Sequence, residues 1–290
     1  MKLSCLYEKV VRYGIDRDPR KDKKNIKSYP DSAILYGDPD TQVRKILVGI
    51  DIEVAELLLA DRIRSSQGLD LVISHHPEGK AFASLDKVMQ LQVDVLKSIG
   101  VNPIVAQKLL DERMWEVERR ILPQNHTRPV DAAQLLDLPF MCVHTPADNH
   151  VFSFIQRLLD AEKPRKVQDI VDILKDIPEY RDARNTFTEP RIILGSPKRA
   201  VGKILVEMTG GTEGSKDVFD KLYRAGVRTL VSMHLSEEHL KKVKDANLNV
   251  VIAGHISSDT LGLNLLLDRI EQEEELQTIS CSGFRRIRRK

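Results

Sequence analysis

LVISHHP, residues 71–77, passes from an unbroken apolar run into two histidines and a proline. A short aliphatic run cut off by a turn residue predicts a strand buried on both faces, as in a parallel sheet. Pro77 holds the residue before it extended. Adjacent side chains of an extended chain project to opposite sides, so His75 and His76 suit two neighbouring metal ions better than one. Taken singly, each reads better as a histidine hydrogen-bonded at a strand end. The pattern recurs, however: FMCV precedes His144, LVSM precedes His234 and VVIAG precedes His255, so five of the eight histidines follow apolar strand candidates. The carboxyl ends of strands in an open parallel sheet face one crevice, where ligands bind. As a set, these histidines read as a site.

Working outward, the segments Lys45–Ile52, Asp70–Ser74, Pro103–Ala106, Pro139–His144, Arg191–Gly195, Lys203–Thr209, Thr229–Met233 and Val250–Gly254 predict strands. Helical periodicity separates most of them. Val54–Arg64 places Ala55, Leu58, Leu59 and Ile63 on one stripe, and Leu85–Ile99 does the same with Val88, Leu91, Val95 and Ile99. Further helices are expected over Gln107–Ile121, Val151–Leu159, Val167–Lys175, Asp217–Ala225 and Leu261–Glu275. Strand and helix in alternation imply an α/β fold with largely parallel sheets. The 290 residues suggest two domains at roughly 150 residues each. The connector IPEYRDARNTFTEP, which follows the helix Val167–Lys175, marks the change, giving an N-terminal α/β domain over 1–165 and a C-terminal one over 166–290.

Composition excludes several classes. Hydrophobic residues are 41% and charged residues 30% of the chain, the balance of an ordinary globular protein. A net charge of +2 names no polyanionic partner. The loop over 15–32 and the tail FRRIRRK from Phe284 are basic and are the grounds for a nucleic-acid reading, but each reads better as solvated surface. Cys5, Cys142 and Cys281 are odd in number and lack CxxC spacing, which argues against a disulfide framework and a thiolate zinc site. With no apolar run of about 18 residues, the expectation is a cytoplasmic protein without a membrane partner.

Carboxylates accompany two of the histidines. HTPAD puts Asp148 four residues after His144, just before a helical pattern, where it could cap the helix or ligate. HISSD puts Asp259 four residues after His255, on one face if the helix begins there. Imidazole with carboxylate suits Zn, Fe, Mn, Co or Ni, and a shared carboxylate would allow two divalent ions. HExxH is missing, and His234 and His239 are five apart. GGTEGSK over 210–216 follows a strand and leads toward a helix, so Gly211, Gly214 and Ser215 could receive an anion; a bare tight turn is the alternative. Glu213 and His234 are candidates for proton transfer. His126, His150 and His239 read as plain surface residues.

ISHHP, HTPADN, MTGGTEGS and AGHISSDTLGLN occur in an order that resembles the Nif-three-like family, the dinuclear-metal-centre hexameric proteins often labelled GTP cyclohydrolase I type two. The resemblance spans about residues 30–272. It implies two similar α/β halves facing a metal-binding cleft and a toroidal homohexamer. It also implies two metals held by His75, His76, Asp148, His255 and Asp259. Asp259 stands where the family has glutamate, and Met233-His234 where it often has glycine and an acid. The 71 residues between His76 and Asp148 are long for the family. Two functions follow: a metal-dependent hydrolase of a phosphorylated or nucleotide-like small molecule, or a non-catalytic assembly for metal handling, regulation or partner binding. Nothing in these residues reads guanine.

Overall fold

The computed structural model describes residues 1–289. Its strands are β1 (Ala33–Tyr36), β2 (Lys45–Gly49), β3 (Leu71–Ser74), β4 (Phe140–Cys142), β5 (Arg191–Leu194), β6 (Lys203–Glu207), β7 (Val227–Ser232), β8 (Asn249–Ile252) and β9 (Gln277–Ser280). The helices are α1 (Leu3–Arg17), α2 (Val54–Gln67), α3 (Gly79–Phe82), α4 (Leu85–Val88), α5 (Gln90–Ile99), α6 (Pro103–Ile121), α7 (Arg128–Leu135), α8 (Thr145–Glu162), α9 (Val167–Lys175), α10 (Pro178–Asp182), α11 (Phe219–Arg224), α12 (Glu237–Asp245) and α13 (His255–Glu271). None is long and apolar enough to cross a membrane.

The strands form two sheets, ordered β1-β4-β3-β2-β9 and β5-β8-β7-β6. In each, three successive strands run parallel and the first strand pairs antiparallel at the edge: β1 with β4, β5 with β8. The two sheets thus repeat one winding order, and β9 adds a parallel strand beside β2. Alternation along each strand sends side chains to opposite faces. Ile46 and Val48 meet α1 and α13, while Leu47 meets Leu57 and Ala60 of α2 and Ala133 of α7. In the second sheet, Val206, Val231 and Val251 pack on α8 and α9, and Leu205, Leu230 and Val250 pack on α5, α6, α11 and α12.

The helices cross between the sheets. Helix α8 leaves β4 of the first sheet yet lays Val151, Ile155 and Leu159 on the second, and α13 leaves β8 of the second yet lays Leu263, Leu266 and Ile270 on the first. Their N-terminal turns meet at this seam, where a Cβ on Gly262 would stand 2.5 Å from the Ala147 carbonyl oxygen.

Several expectations from sequence are corrected. Pro103–Ala106 is the first turn of α6, with Asn102 accepting hydrogen bonds from the Ile104 and Val105 N–H groups and Pro103 at the helix start. Helix α2 buries Leu57 and Ala60, leaving Leu58 and Leu59 exposed. Met89 splits the periodic stretch 85–99 into α4 and α5. Helix α13 begins at His255, six residues before the start expected at Leu261. His150 and His239 are buried. As far as Arg289 the tail is packed and not frayed: Phe284 is buried, and Arg286 lies 2.6 Å from Asp268 and 3.0 Å from Glu271. Asp18, Tyr29, Asp31 and Ser32 within the charged segment 15–32 are also buried.

The close contact of α8 with α13 makes Gly262→Ala a test of the packing. An added methyl must move one helix, so the variant should lose about 1–3 kcal/mol of stability in urea denaturation. An unchanged midpoint would show slack at the seam.

Candidate metal centre

His75 follows β3, is fully buried, and its Nδ1 lies 3.0 Å from the Val143 carbonyl oxygen. His76 turns the other way, its Nδ1 held 2.6 Å from Asp51. His144, at the N-terminus of α8, places Nδ1 2.8 Å from Asp31. With Nδ1 occupied in all three, the Nε2 atoms are left to point at a common centre. A partner on one ring nitrogen that fixes the other for ligation is the arrangement found around metal-bound histidine.

The carboxylates enter from the first turn of α8 and the second of α13. His75 Nε2 is 3.4 Å from both Asp148 Oδ1 and Asp259 Oδ1. Asp259 Oδ2 is 3.4 Å from His76 Nε2 and 3.6 Å from His255 Nε2, and Asp148 Oδ2 is 3.8 Å from His144 Nε2. His75 Nε2 and both Asp259 oxygens are buried without a hydrogen-bond partner. Two donors each about 2.0–2.1 Å from one ion at a tetrahedral angle stand about 3.4 Å apart. The gaps are therefore too long for hydrogen bonds and right for an ion between the atoms. Two groups bring one ligand atom from each residue within 4.8 Å of the others, His75 with His76 and Asp259, and His75 with His144 and Asp148. These buried groups could hold a metal ion. All five residues expected from sequence converge.

The charges are mutually dependent. Burial pushes the Asp259 carboxyl up, but His75, His76 and His255 outweigh it and hold the group well below the usual carboxylate range. Burial likewise pushes His76 down, and Asp259 and Asp51 reverse this and lift it to about 9. Burial lowers His255, with the neighbouring histidines adding to the effect against Asp259.

Among solved structures, the chain is similar to a NIF3 superfamily protein from Sphaerobacter thermophilus, at 27% identity and a TM-score of 0.79 over 95% of this chain and 97% of that one. The chain is NIF3-like. The fold is shared with reduced HcgD from Methanocaldococcus jannaschii (16% identity, TM-score 0.59, 97% of each chain) and with a protein from Thermus thermophilus (16% identity, TM-score 0.54, 97% of each chain). No protein-family model matches the sequence, and neither does any curated protein.

A cavity of about 640 Å³ opens over the NIF3-like histidine cluster, lined in part by His76, His144, His255, His234, Arg128 and Gly211. His234 sets its ring edge-on to that of His255, centroids 4.7 Å apart, with Nδ1 3.5 Å from Glu213. Burial pushes the Glu213 carboxyl up, but His234, the Ser236 N–H and His239 bring it down to about 2. The Glu213 carboxylate in turn raises His234. Of the three loop residues expected to receive an anion, Gly211 lines this cavity, with Thr212 beside it. Gly214 and Ser215 are buried, and they line the wall of a smaller cavity that Gln92 and Val218 share. The helix expected from Asp217 starts at Phe219 and has six residues, so no helix N-terminus follows the loop directly.

Sequence reading missed Asp31 and Asp51. Asp31 is fully buried and also accepts a 2.6 Å hydrogen bond from the Thr145 hydroxyl. It lies in a charged loop that reads as solvated, and its position two residues before the apolar run AILY was the one available hint. Asp51 follows β2 just as His75 follows β3, the strand-end logic applied to an acid.

Two outcomes are expected. Asp31→Asn or Asp51→Asn should weaken metal binding about 10–100-fold, measured by competition with a chelating dye, because each loosens a ring's orientation without removing a ligand atom. Glu213→Gln keeps the hydrogen-bond acceptor and removes the charge. A carboxyl lowered to about 2 from 4.5 stabilises the fold above pH 4.5 and loses that contribution as pH falls toward 2. The variant should therefore be about 1–2 kcal/mol less stable at pH 7, with the difference vanishing on acidification.

Proposed function

We propose that the protein is a dinuclear metal-dependent hydrolase of a phosphorylated or nucleotide-like small molecule. The observation that carries this reading is the buried Asp259 carboxylate, with one oxygen facing His75 and the other facing His76 and His255, and no hydrogen bond on either. In it, His75, His76, Asp148, His255 and Asp259 would hold two divalent ions, with His144 beside them. Bound ions would supply Lewis-acid polarisation and lower the pKa of an attacking water. His234, raised by Glu213, donates a proton to the leaving group. Glu213 keeps that imidazole oriented and charged between turnovers. The Gly211 backbone, which lines the cavity with a φ of +89°, lets an anionic group approach closely where a side chain would stand in the way. Gly214 and Ser215 support the loop from behind. Arg128, 2.9 Å from Glu53 at the cavity wall, is available to a phosphate that displaces that acid.

The reading includes two domains over 1–165 and 166–290, a toroidal homohexamer and a cytoplasmic setting, the last consistent with three free cysteines. One observation favours the non-catalytic alternative: His75 and Asp148 are buried and neither lines the larger cavity, so an ion held between them is the less open to a substrate.

A panel of nucleotides and phosphoesters, assayed with Mn, Zn, Fe or Co, separates the readings. Hydrolysis should appear with the wild type and fall at least about 1000-fold in Asp259→Asn together with metal content by plasma emission. His234→Ala should keep the metal and lose about 100-fold or more in turnover. Metal bound without turnover on the whole panel would favour the assembly role.

A further inference from the structure

A second cavity, of about 460 Å³, lies between α1, α8, the C-terminal half of α13 and the tail, and shares no lining residue with the cavity over the histidine cluster. Arg269 on its wall is ten residues beyond Asp259 on the same helix, a separation of about 15 Å at 1.5 Å per residue. Five arginines line it, Arg17, Arg157, Arg269, Arg288 and Arg289, against two acids, Asp268 and Glu271. Both acids are already engaged: Asp268 lies 2.6 Å from Arg286, and Glu271 lies 3.0 Å from Arg286 and 2.9 Å from Arg288. Asp16, near the rim, pairs with Arg269 at 3.1 Å, and Arg289 pairs with Glu179 at 2.6 Å.

That leaves Arg17 and Arg157. Among the described residues neither has a carboxylate within 4.0 Å, and Arg157 bonds only to Ser153. Arg17 is partly buried, and burial, Arg157 and Arg269 all act to lower its pKa. Like charges gathered in a half-buried hollow disfavour the fold unless an anion joins them. An independent observation points to the same occupant. His150, 4% exposed, is part of the wall, and its Nε2 is buried with no partner; Arg289 Nη1 is also buried without a hydrogen bond. A neutral imidazole can donate from Nε2 to an oxyanion, and guanidinium groups match phosphate oxygens in pairs.

We propose that this cavity binds a phosphate-bearing small molecule through Arg17, Arg157, Arg289 and His150. Its volume falls in the range of small-molecule sites, about 300–1000 Å³, and arginine rather than lysine is the residue suited to forked phosphate contacts. The site is separate from the metal-dependent reading and stands without it.

The test is calorimetric titration of the full chain with inorganic phosphate and with pyrophosphate, at constant ionic strength set by chloride. Wild type should bind, and the Arg17→Gln, Arg157→Gln double variant should bind at least tenfold more weakly. Arg17→Gln by itself should be as stable as wild type or more so without phosphate, which shows that lost binding is not lost folding. Asp259→Asn and chelator-treated wild type should still bind. No binding by wild type, equal binding by the double variant, or loss of binding on chelation alone would each overturn the proposal.

Discussion

Helix α13 can reach the cluster from one sheet while lying on the other only because Gly262 lets its backbone touch that of α8 at Ala147. The contact lies one turn beyond Asp259 on α13 and one residue before Asp148 on α8. It sets the separation of the two carboxylates, and through them the spacing of the whole site. A side chain at that crossing would hold the helices apart, and oxygens now 3.4 Å from His75 would leave ligand range. Dense interiors transmit such displacements because they have little free volume to absorb them.

The site built on this crossing is costly for a folded chain. Two carboxylates and two histidines, His75 and His144, are withdrawn from water, and three of the buried atoms lack partners. Burying ions costs several kcal/mol each in effective terms, which mutual attraction offsets only in part. The surrounding acids reduce the cost by holding ring nitrogens on the side away from the centre: Asp51 for His76, Asp31 for His144. A cation in the middle would satisfy the remaining atoms. The arginine-lined hollow built from the same two helices has the opposite sign and an analogous deficit, excess positive charge with buried donors unfilled.

Much of the site was legible in the chain because strand and ligand are adjacent in sequence. LVIS before His75 and VVIAG before His255 combine an apolar run with an abrupt polar end, and a strand end is a fixed place in a parallel sheet. The i to i+4 relation of His255 and Asp259 needed only the helix start, which Gly254 supplies. Residues whose role depends on a partner distant in sequence were not legible. Asp31 reads as solvated loop until β1 pairs antiparallel with β4 and brings it beside His144. The tail reads as frayed until Arg286 finds Asp268 and Glu271. Leu58 and Leu59 match a helical stripe as well as Leu57 and Ala60 do, and only the position of β2 selects the second pair.

By itself, then, the sequence determined the α/β alternation, the ends of the strands and the five residues that gather at the centre, because these depend on local periodicity and on chemistry carried by neighbouring positions. Tertiary structure decided which sheet each helix covers, which acids stand behind the histidines, and that Gly214 and Ser215 turn inward while Gly211 faces the cavity. Those outcomes depend on contacts between segments tens to hundreds of residues apart, where packing selects among arrangements that local pattern leaves equally open.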